Sequence, residues 1–426
     1  MTRRKYPTPL RRVPLADDGD FCCPFQPVEP VEPVKPVKLP AIKLILDTDM
    51  GGGACRDVDD VVALCISHAL MDNGEAELLA VVQDTAPPPC AGVISVINHW
   101  YGRDDIPIGA YKGSGLTLAG NPPLSYVSSM LRNFPSPIKD SSQVPDAVAV
   151  YRRVLASSPP QSVTISSVGL QTNLELLLRS GPDAHSNLTG IELVKEKVVL
   201  LAAMAGSYPR SHWSECNACG CFNGADLVSK ATAAAATAYV AENMPRSVRV
   251  IYLGYEDGER VRTGAALEEC AAETNPCRHA LMEFRDNAHW GWARGGRSSW
   301  DPLATLLAVR GVSQKGMGLS DCVDCDGTNH INKADGSNYW VAGPPSNQSY
   351  VRLKDIAIAR RAIDELLCQP RLADRPRSPP LSQQLAHNSD ERASALQYTH
   401  SRVRNRTWRA SQWVPKGSRH GQGQPA

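Results

Sequence analysis

Residues 42–60 read IKLILDTDMGGGACRDVDD, and they run directly into VVALCISHALM at 61–71 and LLAVV at 78–82. A short apolar run, a polar loop, a helix-length apolar stretch and a second apolar run describe a strand–helix–strand unit. Such a unit places its two strands parallel and covers them with the helix. The pattern recurs downstream: a helix at Ala91–Trp100, a strand at Ser162–Ser167, a helix at Thr172–Leu178, and strands at Lys197–Leu201 and Val248–Leu253. We therefore expect one α/β domain over residues 41–369, built on a mostly parallel central sheet flanked by helices.

In sheets of this kind, ligands bind beyond the carboxyl ends of the strands. Polar residues just after each strand therefore carry the functional reading. After the first strand, Asp47, Asp49, Asp57, Asp59 and Asp60 fall within fourteen residues. Helix capping accounts for one of them, at Asp57 or Asp59. Five carboxylates this close repel one another unless a cation sits among them, and a hard divalent ion is the simplest answer. Three other post-strand segments can face it: SSVGLQTNL at 166–174, Glu215-Cys-Asn217, and Arg297-Ser-Ser-Trp300-Asp301-Pro302 before the apolar stretch LATLLAV. There Pro302 suits a first helical turn and Asp301 a cap.

The whole chain has 426 residues, a formal net charge of +1, 42% hydrophobic and 21% charged residues, a globular composition. Residues 41–369 hold 28 basic against 36 acidic residues, a net charge of −8. That sign repels phosphate backbones and argues against a nucleic-acid polymer as ligand. No apolar run approaches the roughly 18 residues of a membrane span, so no membrane partner is expected. Nine of the first forty residues are proline, and PVEPVEPVKPVK at 27–38 favours a stiff polyproline tether. Residues 370–426 are basic and rich in breakers; both tails read as disordered, with a short helix at Asp390–Tyr398. The basic N-terminus has no apolar segment behind it, so no secretory signal is read there and a cytoplasmic location is expected.

DTDM and DVDD, then VGLQTNL, then ECN, then SWDP, in this order, resemble the nucleoside hydrolase family, as does LGYEDGERVRTG at 253–264. The resemblance covers residues 41–369 and implies a single Ca²⁺ at the bottom of an acidic pocket. It implies Asp49, Asp60, Asp301 and the Val168 carbonyl as metal ligands, with Asp60 bidentate. Asp59 would hold a ribose hydroxyl, Glu215 and Asn217 the sugar's other side, and Asp47 would orient the loop. Asp84 stands where the family has a ribose-binding Asn. The implied reaction is hydrolysis of a ribonucleoside's N-glycosidic bond by a Ca²⁺-held water, with Asp49 as general base. Carboxylates near an oxocarbenium-like sugar suit that chemistry independently. The partner would be a small nucleoside, purine nucleosides favoured, and the assembly a homodimer or homotetramer.

Two departures from the family pattern stand out. Asp49 and Asp59 are ten residues apart, four more than in distant members with the spacing of DTDMGNDVDD, which places an insertion in Gly51–Arg56. Trp300 replaces the His that protonates the departing base in several members; the purine-preferring branch also carries Trp there. Trp300 stacked on a purine would favour proton uptake by the base, and His289, in the Trp-rich stretch before it, could reach a ligand. A core aromatic is the alternative reading of Trp300.

Thirteen cysteines leave at least one unpaired within the chain. Cys216-Asn-Ala-Cys219-Gly-Cys221 and Cys322-Val-Asp-Cys325 have zinc-knuckle spacing, but they lie far apart. Free or buried thiols are the preferred reading, ahead of local disulfides and zinc. A haloacid-dehalogenase-type phosphatase would explain Asp47-Thr-Asp49, yet it wants Thr or Val where Gly51 stands and has no use for Asp59-Asp60. The remaining alternative is a nucleoside hydrolase-like domain that binds a ribosyl ligand or Ca²⁺ without turnover.

Overall fold

Runs of Val, Ile and Leu form the sheet, and polar or glycine-bearing segments link them, in the computed structural model of the chain. It describes residues 40–51, 57–117, 125–209, 215–219, 226–288, 291–312, 318–321 and 326–375. Its strands are β1 (Ile42–Thr48), β2 (Ala76–Gln83), β3 (Ile108–Ala110), β4 (Val163–Ser167), β5 (Val198–Met204) and β6 (Arg249–Leu253). Then follow β7 (Arg262–Gly264), β8 (Gly296–Ser298), β9 (Leu319–Asp321), β10 (Gly327–Ile331), β11 (Asn338–Ala342) and β12 (Gln348–Leu353). The first helices are α1 (Asp59–Asp72), α2 (Cys90–Trp100), α3 (Ser125–Asn133), α4 (Ala147–Ser157), α5 (Thr172–Arg179) and α6 (Gly190–Lys197). After them come α7 (Cys216–Cys219), α8 (Leu227–Asn243), α9 (Tyr255–Gly258), α10 (Leu267–Cys270), α11 (Pro276–Ala288), α12 (Trp300–Arg310) and α13 (Ile356–Leu367).

The central sheet has the order β3-β2-β1-β4-β5-β6-β12-β9, and all pairs are parallel except that between β12 and β9. The expected mostly parallel sheet is therefore present. Pleating sends alternate residues to opposite faces. Leu44 and Leu46 of β1 pack into the layer of α1, α11, α12 and α13, while Ile45 packs against α4, α5 and α6. Because β2 and β4 leave β1 on opposite sides, the strand order reverses between β1 and β4. A crevice forms at such a switch point, outside the carboxyl ends of the strands. Asp47–Asp49 and Val168 stand there.

Three strands of the central sheet were not read from the sequence. β3 is only three residues long, half of β12 (QSYVRL) is polar, and β9 adds an antiparallel edge. Each is too short or too polar to announce itself locally; pairing with an existing strand decides it. The helix read at Asp390–Tyr398 lies outside the described residues.

The cysteines correct an expectation. Cys65 of α1 is bonded to Cys277 of α11, and Cys270 of α10 to Cys368 just beyond α13, while Cys90 is free and buried and Cys219 is buried. Cys216 is also disulfide-bonded. The bonded pairs lie 212 and 98 residues apart, so local spacing could not reveal them. Cys322 and Cys325 lie outside the described residues. No described helix is long and apolar enough to cross a membrane.

Candidate active site

Three chain segments converge at the switch point. β1 ends at Thr48 and delivers Asp47 and Asp49; α1 opens with Asp59 and Asp60; α12 opens with Trp300 and Asp301. One carboxylate oxygen from each of Asp59, Asp60 and Asp301 lies within 4.8 Å of the other two, and all three residues are buried. Burial pushes each of these acids well above the usual carboxylate range. Repulsion adds to it: Asp57 and Asp60 act on Asp59, Asp49 and Asp57 on Asp60, and Asp59, Asp60 and Asp49 on Asp301. Asp49 is not part of the close trio; it is buried beside it, and its charge is felt by Asp60, Asp84 and Asp301.

A divalent cation fits this donor set. The converging atoms are carboxylate oxygens, the ligands a hard ion prefers, and their repulsion is what such an ion would relieve. Around them, several buried polar atoms have no hydrogen-bond partner among the described residues: both amide atoms of Gln171, the Ser167 hydroxyl and Asn173 Oδ1. Buried polar atoms left in this way ordinarily have a partner, whether protein, water, ion or ligand.

The remaining expected residues fall as follows. Thr48 donates its hydroxyl hydrogen bond to Asp60 Oδ1. Asp47 accepts from the Tyr151 hydroxyl at 2.8 Å and from the Asn173 amide at 3.0 Å, and burial raises it to about 7. Asp84 is wholly buried, and Gly169 makes room for it. A Cβ on Gly169 would lie 2.4 Å from Asp84 Oδ2 and 2.6 Å from the Asp49 nitrogen. The Val168 carbonyl accepts from the Asn217 amide at 2.9 Å, and the same amide donates to Met204 O at 3.1 Å. Glu215 receives the backbone N–H groups of Gly206 at 2.9 Å, Asn217 at 3.0 Å and Ala218 at 3.2 Å, and burial raises it to about 7. Trp300 is half-buried; its indole N–H donates to Tyr255 O at 2.7 Å, and its ring lies 5.3 Å from that of Tyr255. His289 lies outside the described residues.

The capping expectations are corrected. Ser299 is the N-cap of α12, so Asp301 lies inside the first turn with its carboxylate directed to the cluster. Val58 takes the N-cap position of α1, without a side-chain cap bond. Asp59 instead reaches across to α12, accepting the N–H of Trp300 at 3.1 Å and of Asp301 at 3.2 Å. A carboxylate at a helix N-terminus is favourable wherever it comes from in the chain.

Sequence reasoning gave no role to Arg297, Tyr151, Asn173 or Thr48. Arg297 binds Asp57 through two guanidinium nitrogens, with distances of 2.5 to 3.1 Å. Its only sequence signal was a lone basic residue beside SWDP; the pairing spans 240 positions.

The sequence model described as inosine-uridine preferring nucleoside hydrolase matches residues 44–343. No curated protein matches the chain. Among solved structures it resembles the type III effector protein XopQ complexed with adenosine diphosphate ribose, at 17% identity and a TM-score of 0.55, covering 78% of this chain and 94% of that one. It also resembles the inosine-uridine preferring nucleoside hydrolase from Bacillus anthracis, at 15% identity and a TM-score of 0.52, covering 77% and 99%. An inosine-guanosine nucleoside hydrolase follows at 14% identity and a TM-score of 0.52, covering 76% and 97%. At these identities the likeness is one of fold.

Proposed function

The chain belongs to the inosine-uridine preferring nucleoside hydrolase family, and from that premise we propose that it hydrolyses the N-glycosidic bond of ribonucleosides, purine nucleosides foremost, to free base and ribose. The observation that carries the proposal is the convergence of Asp59, Asp60 and Asp301 at the carboxyl ends of the parallel strands. Asp49, Asp60, Asp301 and the Val168 carbonyl would hold a cation there, which we take to be Ca²⁺; when bound it would lower the pKa of a water and grip vicinal hydroxyls.

The chain's own residues then supply the rest. Asp49, buried beside the trio, is placed to take the proton of the attacking water as general base. Asp59 keeps Oδ1 for a ribose hydroxyl while Oδ2 holds the start of α12. Asp47, held by Tyr151 and Asn173, orients the loop that carries Asp49. Asp84, Glu215 and Asn217 border the sugar from the sheet side. Developing positive charge on the sugar is stabilised by these buried carboxylates, whose field is strong away from water. Tyr255 fixes the plane of the Trp300 indole, leaving part of the ring to stack on a purine.

Binding of a ribosyl ligand without turnover is the second reading, favoured by the solved effector that holds adenosine diphosphate ribose. A homodimer or homotetramer is the assembly we propose from the family. The cytoplasmic location expected from the N-terminus sits poorly with Cys65–Cys277 and Cys270–Cys368, since reducing compartments keep thiols free; an oxidising compartment accommodates both.

Ribose release from a panel of purine and pyrimidine nucleosides, with and without chelator, tests the proposal. We expect chelator-sensitive release. Ligand binding without release by folded protein would favour the second reading.

A further inference from the structure

The Gly51–Arg56 insertion lengthens the path between Asp49 and Asp59, so something must hold the start of α1 in register with α12. We propose that the buried Asp57–Arg297 ion pair is that device: a positioning latch that sets Asp59 and Asp60 against Asp301 and so determines affinity for the cation. The inference rests on the metal-site reading above.

The geometry is specific. Arg297 lies on β8, two residues before the N-cap of α12, and Asp57 lies two residues before Asp59. Arg297 Nε contacts Asp57 Oδ1 at 2.8 Å and Oδ2 at 3.1 Å, and Nη2 contacts Oδ2 at 2.5 Å. Arg297 Nη1 also donates to the Gly291 carbonyl at 3.1 Å. A Cβ on Gly291, whose φ is +69°, would sit 2.4 Å from that nitrogen, so a side chain there would strain the backbone and crowd the guanidinium. The guanidinium carbon lies 4.9 Å from the Trp300 ring. Asp57 is held at its other end as well: its carbonyl accepts the Tyr126 hydroxyl at 2.8 Å and its Oδ1 the Val58 N–H at 2.8 Å.

Two bridges therefore run side by side between the same pair of segments, Asp57 to Arg297 and Asp59 to the N–H groups of Trp300 and Asp301. Buried ion pairs contribute little net stability compared with apolar replacements, and registry is their best-attested use. A planar fork with two parallel bonds fixes direction as well as distance, which a lysine at the same place cannot do.

The test compares wild type with Arg297→Lys, Asp57→Asn and the double variant, using calorimetric Ca²⁺ titration alongside melting temperature and nucleoside kinetics. Each single variant should bind Ca²⁺ at least tenfold more weakly. Saturating Ca²⁺ should restore most of kcat. The double variant should be little worse than either single one, because both remove one interaction. Should Arg297→Lys fail to fold, Asp57→Asn, which keeps the side-chain shape, provides the reading. Wild-type Ca²⁺ affinity in folded variants, with only the melting temperature lowered, overturns the latch. A wild-type chain that binds Ca²⁺ but releases no ribose overturns the hydrolase reading alone, and one without Ca²⁺ affinity overturns both.

Discussion

Single side chains in the acidic cluster do opposite things to stability and to function. Asp60 is buried against the charges of Asp49 and Asp57, so without a cation it costs the fold free energy. In Asp60→Ala, Ca²⁺ binding should be lost by calorimetry, while the melting temperature in chelator stays at or above that of wild type. Equal Ca²⁺ binding by the two proteins would remove Asp60 from the ligand set. Asp49→Ala should lower kcat by roughly 10²–10⁴, the range of general-base loss, with the circular dichroism spectrum unchanged; near-normal kcat would exclude Asp49 as the base. In the proposed reaction, base preference turns on Trp300. Its ring is held by Tyr255 and faces Arg297, so it is pre-positioned rather than free to swing. Trp300→Ala should depress kcat for inosine and guanosine more than it raises KM, since stacking that helps the base depart belongs to the transition state. A change in KM alone would make Trp300 a packing residue.

At the scale of elements, helices α1 and α11 are stapled by Cys65–Cys277, and α10 is tied to the end of α13 by Cys270–Cys368. Cys65 and Cys277 are buried, whereas Cys270 is exposed, so a mild reductant should open the second bond first. A cross-link closing about 100 residues stabilises by roughly 4–5 kcal/mol in the chain-entropy account. For a domain of this size that corresponds to a fall on the order of 10 °C in melting temperature when it is opened. Calorimetric scans of wild type with and without reductant, and of Cys368→Ser, measure this. An unchanged melting temperature in both would show that the bond is not formed or not stabilising.

The molecule as a whole carries a pH dependence of defined sign. Burial raises Asp47, Glu215 and Asp257 to about 7. Unfolded, these acids titrate near 4. Between those values the folded chain binds more protons, so stability is fully present below about pH 4 and falls as pH rises toward 7. Asp59, Asp60, Asp84 and Asp301 shift in the same direction and extend the trend. In chelator, the melting temperature should therefore decline from pH 5 to pH 8, and Ca²⁺ should recover most of the loss at the upper end. A flat or rising profile without metal would mean that these acids are solvated.

How much of this was legible in the chain follows from the range over which each signal acts. Strand and helix periodicity is local, so IKLIL, LLAVV and the apolar run after DVDD were enough to establish a parallel α/β sheet and to point to its switch-point crevice. Density of like charge is local too, and Asp47 to Asp60 marked a cation site before any contact was known. Register and partnership are not local. Whether Asp59 caps its own helix or another, whether Arg297 meets Asp57 across 240 residues, and which cysteines pair depend on how distant segments pack. β12 joined the sheet because β6 offered it an unpaired edge, not because QSYVRL compels a strand. Side-chain chemistry and short-range periodicity are written residue by residue. The free energy of long-range pairing is a property of the assembled molecule, and only the tertiary structure could decide it.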